Sequence, residues 1–446
     1  MSIPKSGGRT DRLRTYLLLA LVVALGLFLR LLLSPSPGYG FDVGVDQGWG
    51  LSAMKLGLAQ SYVEQVNGNM LPNYAPLSII LFMLSAMTVN LFQPDFDVHS
   101  KAYLIAIKMP AIIADIGTAL VLYGLLARWK NRKAGLIAAL VYMLHPAVFH
   151  DSAFWGQTDG IYTFFMVAAL STYLSKRMWL SGALITLALL TKMQAVMLGP
   201  LFLVLFLAAG WKAFFKAAGG SVIVALAVLM PFIIGGTLHA VIDVYRHSVG
   251  YYSVISSAAY NFWWSMYADQ AGNTHDTDLI FHVIPFRTAG LAAFGLSYLY
   301  GLYALFPMLV RALKDKQAAL SVFVAAGFVS LSFFLWNTQM HERYLFPFVA
   351  LALPMIFIST RGIVLYALIS FLFYMNLLGW LPAGPIDKAI FDQFPMVDVF
   401  FASCQVILFF FLARYLWLYR LTFKFKKNPM MTLTRWRKML KPAQAR

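Results

Sequence analysis

"LRTYLLLALVVALGLFLRLLL", residues 13–33, is followed at 41–50 by "FDVGVDQGWG". The first stretch is apolar from about residue 16 to 34, the length that lets a helix cross a bilayer. It is too long for the apolar part of a signal peptide, and no small-residue cleavage site follows, so it reads as a first transmembrane helix. Runs of 17–25 residues of the same kind recur to the end of the chain. They are continuous, whereas barrel strands alternate. An isolated segment in hydrocarbon must satisfy its own backbone polar groups, which a helix does. The expected fold is therefore all-α, a polytopic integral membrane protein.

Composition agrees. Of 446 residues, 60% are hydrophobic, and the mean hydropathy is +0.71; soluble domains are nearer half apolar. The net charge of +17 would raise nucleic acid for a soluble protein. Here the basic residues sit in short connections and at the tail, as they do when charge fixes orientation across a membrane. Nucleic-acid binding is not expected. Cys404 is the single cysteine, so no intrachain disulfide is possible.

Candidate spans fall near 16–34, 75–93, 101–127, 134–150, 160–174, 178–190, 193–210, 218–236, 287–309, 319–335, 343–360, 362–380 and 397–419. Placing the N-terminus 1–15 and the basic connections inside does not close with this count. Either 75–93 is re-entrant or 101–127 hides a break near Pro110. The expectation is 12–14 helices, in an N-terminal module 16–236, an extracytoplasmic loop 237–286, a C-terminal module 287–419 and a basic cytoplasmic tail 420–446. Segments 35–74, 151–159, 237–286 and 337–342 then share the outer face.

Most of the unusual polar residues lie in those four segments. Asp42 and Asp46, four apart, look the same way if 42–50 is helical, and one would then have a raised pKa suited to a general base. Asp46 is equally suited to capping a following amphipathic, interfacial helix. Tyr74 and Pro76 open an apolar run. HDSAFWGQTDG (150–160) packs hydrogen-bonding side chains between two spans; Trp155 offers a flat face for a ring or isoprenoid, and Gln157 and Asp159 suit hydroxyls. In TKMQ (191–194), Lys192 either snorkels or binds an anion, with Gln194 beside it. MHERYLFP (340–347) supplies His341, Glu342 and Arg343: Arg343 suits phosphate, His341 donates to the same group, and Glu342 orients either. A channel would show a polar stripe, and a secondary transporter midplane charges and internal symmetry; neither is visible. A transporter or flippase for lipid-linked saccharides is the alternative to an enzyme acting on a lipid-bound substrate.

These residues together resemble the GT-C glycosyltransferases, membrane enzymes that use polyprenyl-phosphate-linked sugars, over roughly 15–420. NYAPL (73–77) stands where relatives often read YPPL. WGQTD (155–159), KMQ (192–194) and NFWW (261–264) are similar to elements of the mannosyltransferases that build glycolipid anchors. HERYLFP (341–347) is similar to that group and to the HEK segment of dolichyl-phosphate-glucose glucosyltransferases. DVGVDQGW resembles D-x-x-x-F-x-x-W, which favours Asp42 as the catalytic residue, with Asp46 where an aromatic is common.

The resemblance implies a GT-C fold and transfer of mannose or glucose from a polyprenyl-phosphate donor to a lipid, glycan or protein acceptor. It places the active site on the extracytoplasmic face, at the plasma membrane of a prokaryote or the endoplasmic reticulum of a eukaryote. Asp42, or Asp46, serves as base. Arg343, His341 and Lys192 hold the donor phosphate, and Tyr74, Trp155, Gln157, Asp159, Gln194 and Glu342 hold sugar or acceptor. One base suggests inversion; a second carboxylate would allow retention. The chemistry requires no cofactor, although carboxylates beside a phosphodiester can attract Mg²⁺ or Mn²⁺.

Overall fold

The structure, a computed structural model, describes residues 9–394 and 396–427. The extreme N-terminus and the end of the basic tail lie outside the described residues.

The N-terminal half runs α1 (Arg9–Leu33), α2 (Gly40–Leu56), α3 (Pro76–Phe92), α4 (Lys101–Trp129), α5 (Arg132–Met143), α6 (Pro146–Phe149), a π-helical turn at His150–Trp155, α7 (Asp159–Leu174), α8 (Met178–Thr191), α9 (Gly199–Ala208) and α10 (Trp211–Ile234). The segment expected as a loop contains α11 (Leu238–His247), α12 (Phe262–Tyr267) and a two-stranded hairpin, β1 (Leu279–Ile280) with β2 (Ile284–Pro285). The C-terminal half runs α13 (Phe286–Leu309), α14 (Lys316–Ala319), α15 (Ser321–Trp336), α16 (Phe346–Leu351), α17 (Thr360–Trp380), α18 (Pro385–Gln393) and α19 (Val397–Lys427).

Among the described residues, seven helices are long and apolar enough to cross a membrane, or eight if the bent pair Arg132–Met143 and Pro146–Trp155 is one span. The protein is thus an all-α, multi-pass membrane protein apart from its small hairpin. The apolar helices Pro76–Phe92, Met178–Thr191, Met193–Ala208 and Phe346–Phe357 are shorter.

No break occurs at Pro110. α4 is one helix of 29 residues through it. Proline removes one backbone donor and crowds the preceding turn, but packed neighbours hold the helix together. The break lies instead between α5 and α6, where the chain bends by 48° just before Pro146, whose ring disfavours helix at His145.

Burial runs inside out relative to a soluble bundle. α1 turns Leu17, Leu21, Phe28 and Leu32 outward while Arg30 is fully buried. Hydrocarbon tolerates leucine and not guanidinium, so the charge faces the protein. Nearly all of α15 is buried, which makes it the central strut of the C-terminal half. α2 packs on α3, and Trp49, Gly50, Leu51, Ser52 and Ala53 are consecutive buried residues. Burial over more than a full turn means that α2 is enclosed on all sides at its middle.

Candidate active site

Asp42 lies in the first turn of α2, and Asp46 is one turn on and buried. Tyr39 occupies the N-cap position, so Asp46 sits mid-helix and caps nothing. The two aspartates do share a face, and their environments differ. Asp42 keeps a quarter of its side chain exposed, and its Oδ2 accepts a hydrogen bond from Gln157 Nε2 at 2.7 Å. Burial pushes the Asp46 carboxyl well above the ordinary carboxylate range, and the charge of Asp42 adds to this against the opposing fields of Lys192 and Arg343.

Gln157 reaches Asp42 because the chain turns sharply after α6. The amides of Gly156 and Gln157 both bond to the carbonyl of Asp151, at 3.0 and 2.9 Å, which closes the π turn. Gly156 completes it at φ +99°, a left-handed conformation open to glycine at little cost. Asp159 then starts α7, and its Oδ2 accepts from Lys192 Nζ at 2.7 Å. The ammonium also lies 5.4 Å from the ring centre of Tyr74, 5.9 Å from that of Tyr162 and 5.6 Å from that of Tyr344. Lys192 therefore does not snorkel; a carboxylate and three aromatic faces hold it.

Arg343 arrives from the opposite half of the chain. Its Nη1 bonds Glu342, its Nη2 lies 3.9 Å from Asp42 Oδ2, and its guanidinium sits 5.4 Å from the ring centre of Trp155. Burial opposes its charge, but Glu342 and Asp42 outweigh that and raise its pKa further. Burial likewise works against the Glu342 carboxylate, but Arg343 and His341 together outweigh it, so the pKa of Glu342 is lowered. His341 is pushed below the usual histidine value by burial, partly countered by its hydrogen bond with Glu342.

The His341–Arg343 segment is fixed by the 237–286 segment. Gln339 N bonds Val254 O at 2.9 Å, and Ser257 N bonds Met340 O at 2.8 Å. Asp276, buried, accepts from Ser253, Thr338, Gln339 and both arms of Arg287. The sequence offered no pattern that singled out Asp276. Asn261 and Trp264 of the NFWW element have structural roles: Asn261 caps α12, and Trp264 Nε1 donates to Asp398 at 2.9 Å.

Asp42, Trp155, Gln157, His341, Glu342 and Arg343 thus form one network, joined to Asp159, Lys192 and Tyr74 through the ring of Tyr344, which lies between Lys192 and Arg343 at 5.6 and 5.8 Å; Asp46 stands one helical turn from Asp42. Trp155 differs from expectation: it is fully buried, and Arg343 lies over its ring, so it supports the arginine and offers no open stacking face. Gln194 stands further out, lining a cavity of about 700 Å³ with Asn73, Tyr74, Lys192, Tyr252 and Tyr344. Several polar atoms around this network are buried without a partner: both carboxyl oxygens of Asp151, Asp159 Oδ1, Gln157 Oε1, Arg343 Nε, His341 Nε2 and Gln194 Oε1. Buried polar groups are normally paired, so such a concentration is what a site built for a polar ligand looks like. Asp151 carried no site role at the level of sequence, although it lies inside the motif.

Arg30 and Asp115 were also missed. Arg30 Nε bonds Asp115 Oδ2 at 2.9 Å, with both side chains fully buried, and Ser152 Oγ donates to the same oxygen at 2.6 Å. A charge inside each of two apolar runs was the available signal.

A set of carboxylates, cations and tyrosines gathered at the junction of apolar helices is a candidate site of a membrane enzyme, and the family match gives its class. Residues 73–297 match the model of Glycosyltransferase family 87, and the chain belongs to that family. The match contains Tyr74, the 155–159 turn and Lys192, and it ends before Arg343 and begins after Asp42. No curated protein matches the chain.

Proposed function

We propose that the protein transfers a hexose, mannose or glucose, from a polyprenyl-phosphate donor to a lipid, glycan or protein acceptor at the extracytoplasmic membrane face, with Asp42 as general base. The observation that carries this is the setting of Asp42. It is the partly exposed carboxylate of the network, oriented by Gln157 at 2.7 Å and flanked by Arg343 at 3.9 Å. Base and cation so close let one group take the acceptor proton while the other meets charge developing on the departing phosphate.

Arg343, with an uncommitted Nε, binds that phosphate, and His341 supports it through its free Nε2. Lys192 serves the phosphate through its field and holds Asp159. Tyr74 and Gln194 face the cavity and contact sugar or acceptor. Asp46 is buried, which disfavours its ionised form, and this leaves Asp42 as the partly exposed carboxylate at the site; a single working carboxylate favours inversion over a double displacement. The count of 12–14 spans requires the short apolar helices to act as spans or re-entrant segments, and α2 then lies at the outer interface.

The test is transfer by pure protein in lipid nanodiscs from a panel of radiolabelled polyprenyl-phosphate sugars. Asp42→Asn abolishes product while donor binding persists. Lipid-linked sugar crossing the bilayer with no glycosidic bond formed, in wild type and variant alike, would replace this reading with a transporter.

A further inference from the structure

The mechanism above makes no use of Lys108. It lies in the N-terminal third of α4, is fully buried, and has no carboxylate among its hydrogen-bond partners. Its Nζ instead meets three backbone carbonyls: Ser36 at 2.7 Å, Ala153 at 2.9 Å and Phe154 at 3.0 Å. Three acceptors and no donor are what a protonated amine with three N–H groups satisfies.

The positions of those carbonyls are informative. Ser36 belongs to the link between α1 and α2, six residues before Asp42 in the chain. Ala153 and Phe154 lie in the last half of the π turn, four and three residues before Gln157. The link and the turn also touch directly. Gly38 has φ +61°, and a Cβ there would run into the carbonyl of Trp155, so no other residue fits without moving one segment of chain from the other. On the turn side, a Cβ at Gly156 would meet the Lys108 stem at 3.0 Å. Lys108 thus sits at the root of two short arms whose tips meet in the 2.7 Å hydrogen bond between Gln157 and Asp42.

We propose that Lys108 is a positioning residue: its ammonium, with the close approach at Gly38, joins the root of the Asp42 helix to the π turn and so sets the separation of Asp42 and Gln157. The joint stands on these contacts alone; its catalytic consequence rests on the reading of Asp42 as base. A lysine suits the task because the carbonyls in the last half of a π turn and in a non-helical link have no helical partners, and an unpaired carbonyl beside hydrocarbon is costly. One cation satisfies carbonyls from both segments and in doing so fixes their distance. Methionine keeps the length of the stem and removes all three bonds.

The experiment reads geometry and rate separately. In a Cys404→Ala background carrying Asp42→Cys and Gln157→Cys, the pair cross-links rapidly with a short thiol-reactive reagent when Lys108 is present. With Lys108→Met the cross-linking rate falls about tenfold or more, and Lys108→Arg restores part of it. In the chain with Asp42 and Gln157 intact, Lys108→Met lowers kcat by a similar factor and leaves the donor KM within about threefold, because a displaced base costs rate and not binding. If Lys108→Met does not fold, Gly38→Ala opens the same joint from the other side with Lys108 in place and is expected to slow cross-linking equally. Unchanged cross-linking in whichever of these variants is folded overturns the proposal. Absence of sugar transfer by the parent protein would count against the proposed function, while slowed cross-linking would still establish the joint.

Discussion

Replacing Gln157 by leucine isolates the interaction on which the catalytic reading depends. The side chain makes one hydrogen bond, Nε2 to Asp42 Oδ2 at 2.7 Å, and its Oε1 is buried without a partner. Leucine has similar bulk, so packing is nearly preserved and one unsatisfied oxygen disappears. A hydrogen bond to a charged group contributes about 1.5–3 kcal/mol. If that bond holds the carboxylate in its reactive position, the same energy appears in the barrier. At about 1.4 kcal/mol per tenfold, kcat should fall roughly 10- to 150-fold. Asp42 then retains only the longer contact with Arg343 at 3.9 Å and swings toward it. The donor KM should stay within about threefold, since Gln157 is not among the cations proposed to grip the phosphate. The assay is initial rate against donor concentration in nanodiscs, with thermal melting on the same preparation. A folded variant with kcat within about twofold of wild type would refute the role of Gln157 and weaken that of Asp42.

Three further outcomes are expected. Arg30→Met leaves Asp115 buried with only Ser152 and Tyr142 as partners, at a cost of about 3–5 kcal/mol; Arg30→Met with Asp115→Leu should recover much of that in detergent melting curves, and equal melting of single and double variants would contradict it. Asp46→Asn should be more stable than wild type at pH 7. The folded pKa of Asp46 is raised above its ordinary 3.8, so stability present below pH 3.8 is lost as pH rises through the folded value, and the gain should vanish near pH 3.5. Acid should loosen the His341–Arg343 segment in two stages. His341 and Glu342 both have lowered folded values, so their contributions hold above about 6.5 and 4.5 respectively and are lost as pH falls further. Hydrogen exchange at residues 337–345 and 253–258 follows this, and protection independent of pH between 7 and 4 would argue against it.

The sequence by itself determined the solvent and the class of fold. Continuous apolar runs demand a bilayer, and a bilayer demands helices, because no water is there to satisfy an open backbone. It also marked the segments that the structure gathers into the candidate site, since charges and tryptophan beside glycine between apolar runs are costly unless they have a use. What it left open was pairing. The resemblance favoured Asp42 over Asp46, but their chemistry and spacing did not separate them; tertiary burial does, leaving one carboxylate partly exposed and disfavouring the charge of the other. Trp155 read as an open platform, and only the arrival of Arg343, 188 positions later in the chain, turned it into a support. Pro110 and Pro146 look alike as helix breakers, yet neighbours hold α4 together through the first and the bend falls before the second. Arg30, Lys108 and Asp115 were visible as charges within spans, but their partners lie 37 to 85 residues away for the carboxylate–arginine–serine set and 45 to 72 for the lysine. Composition is a local property and fixes the medium; electrostatic partnership depends on which distant segments share a few ångströms, and packing alone decides that.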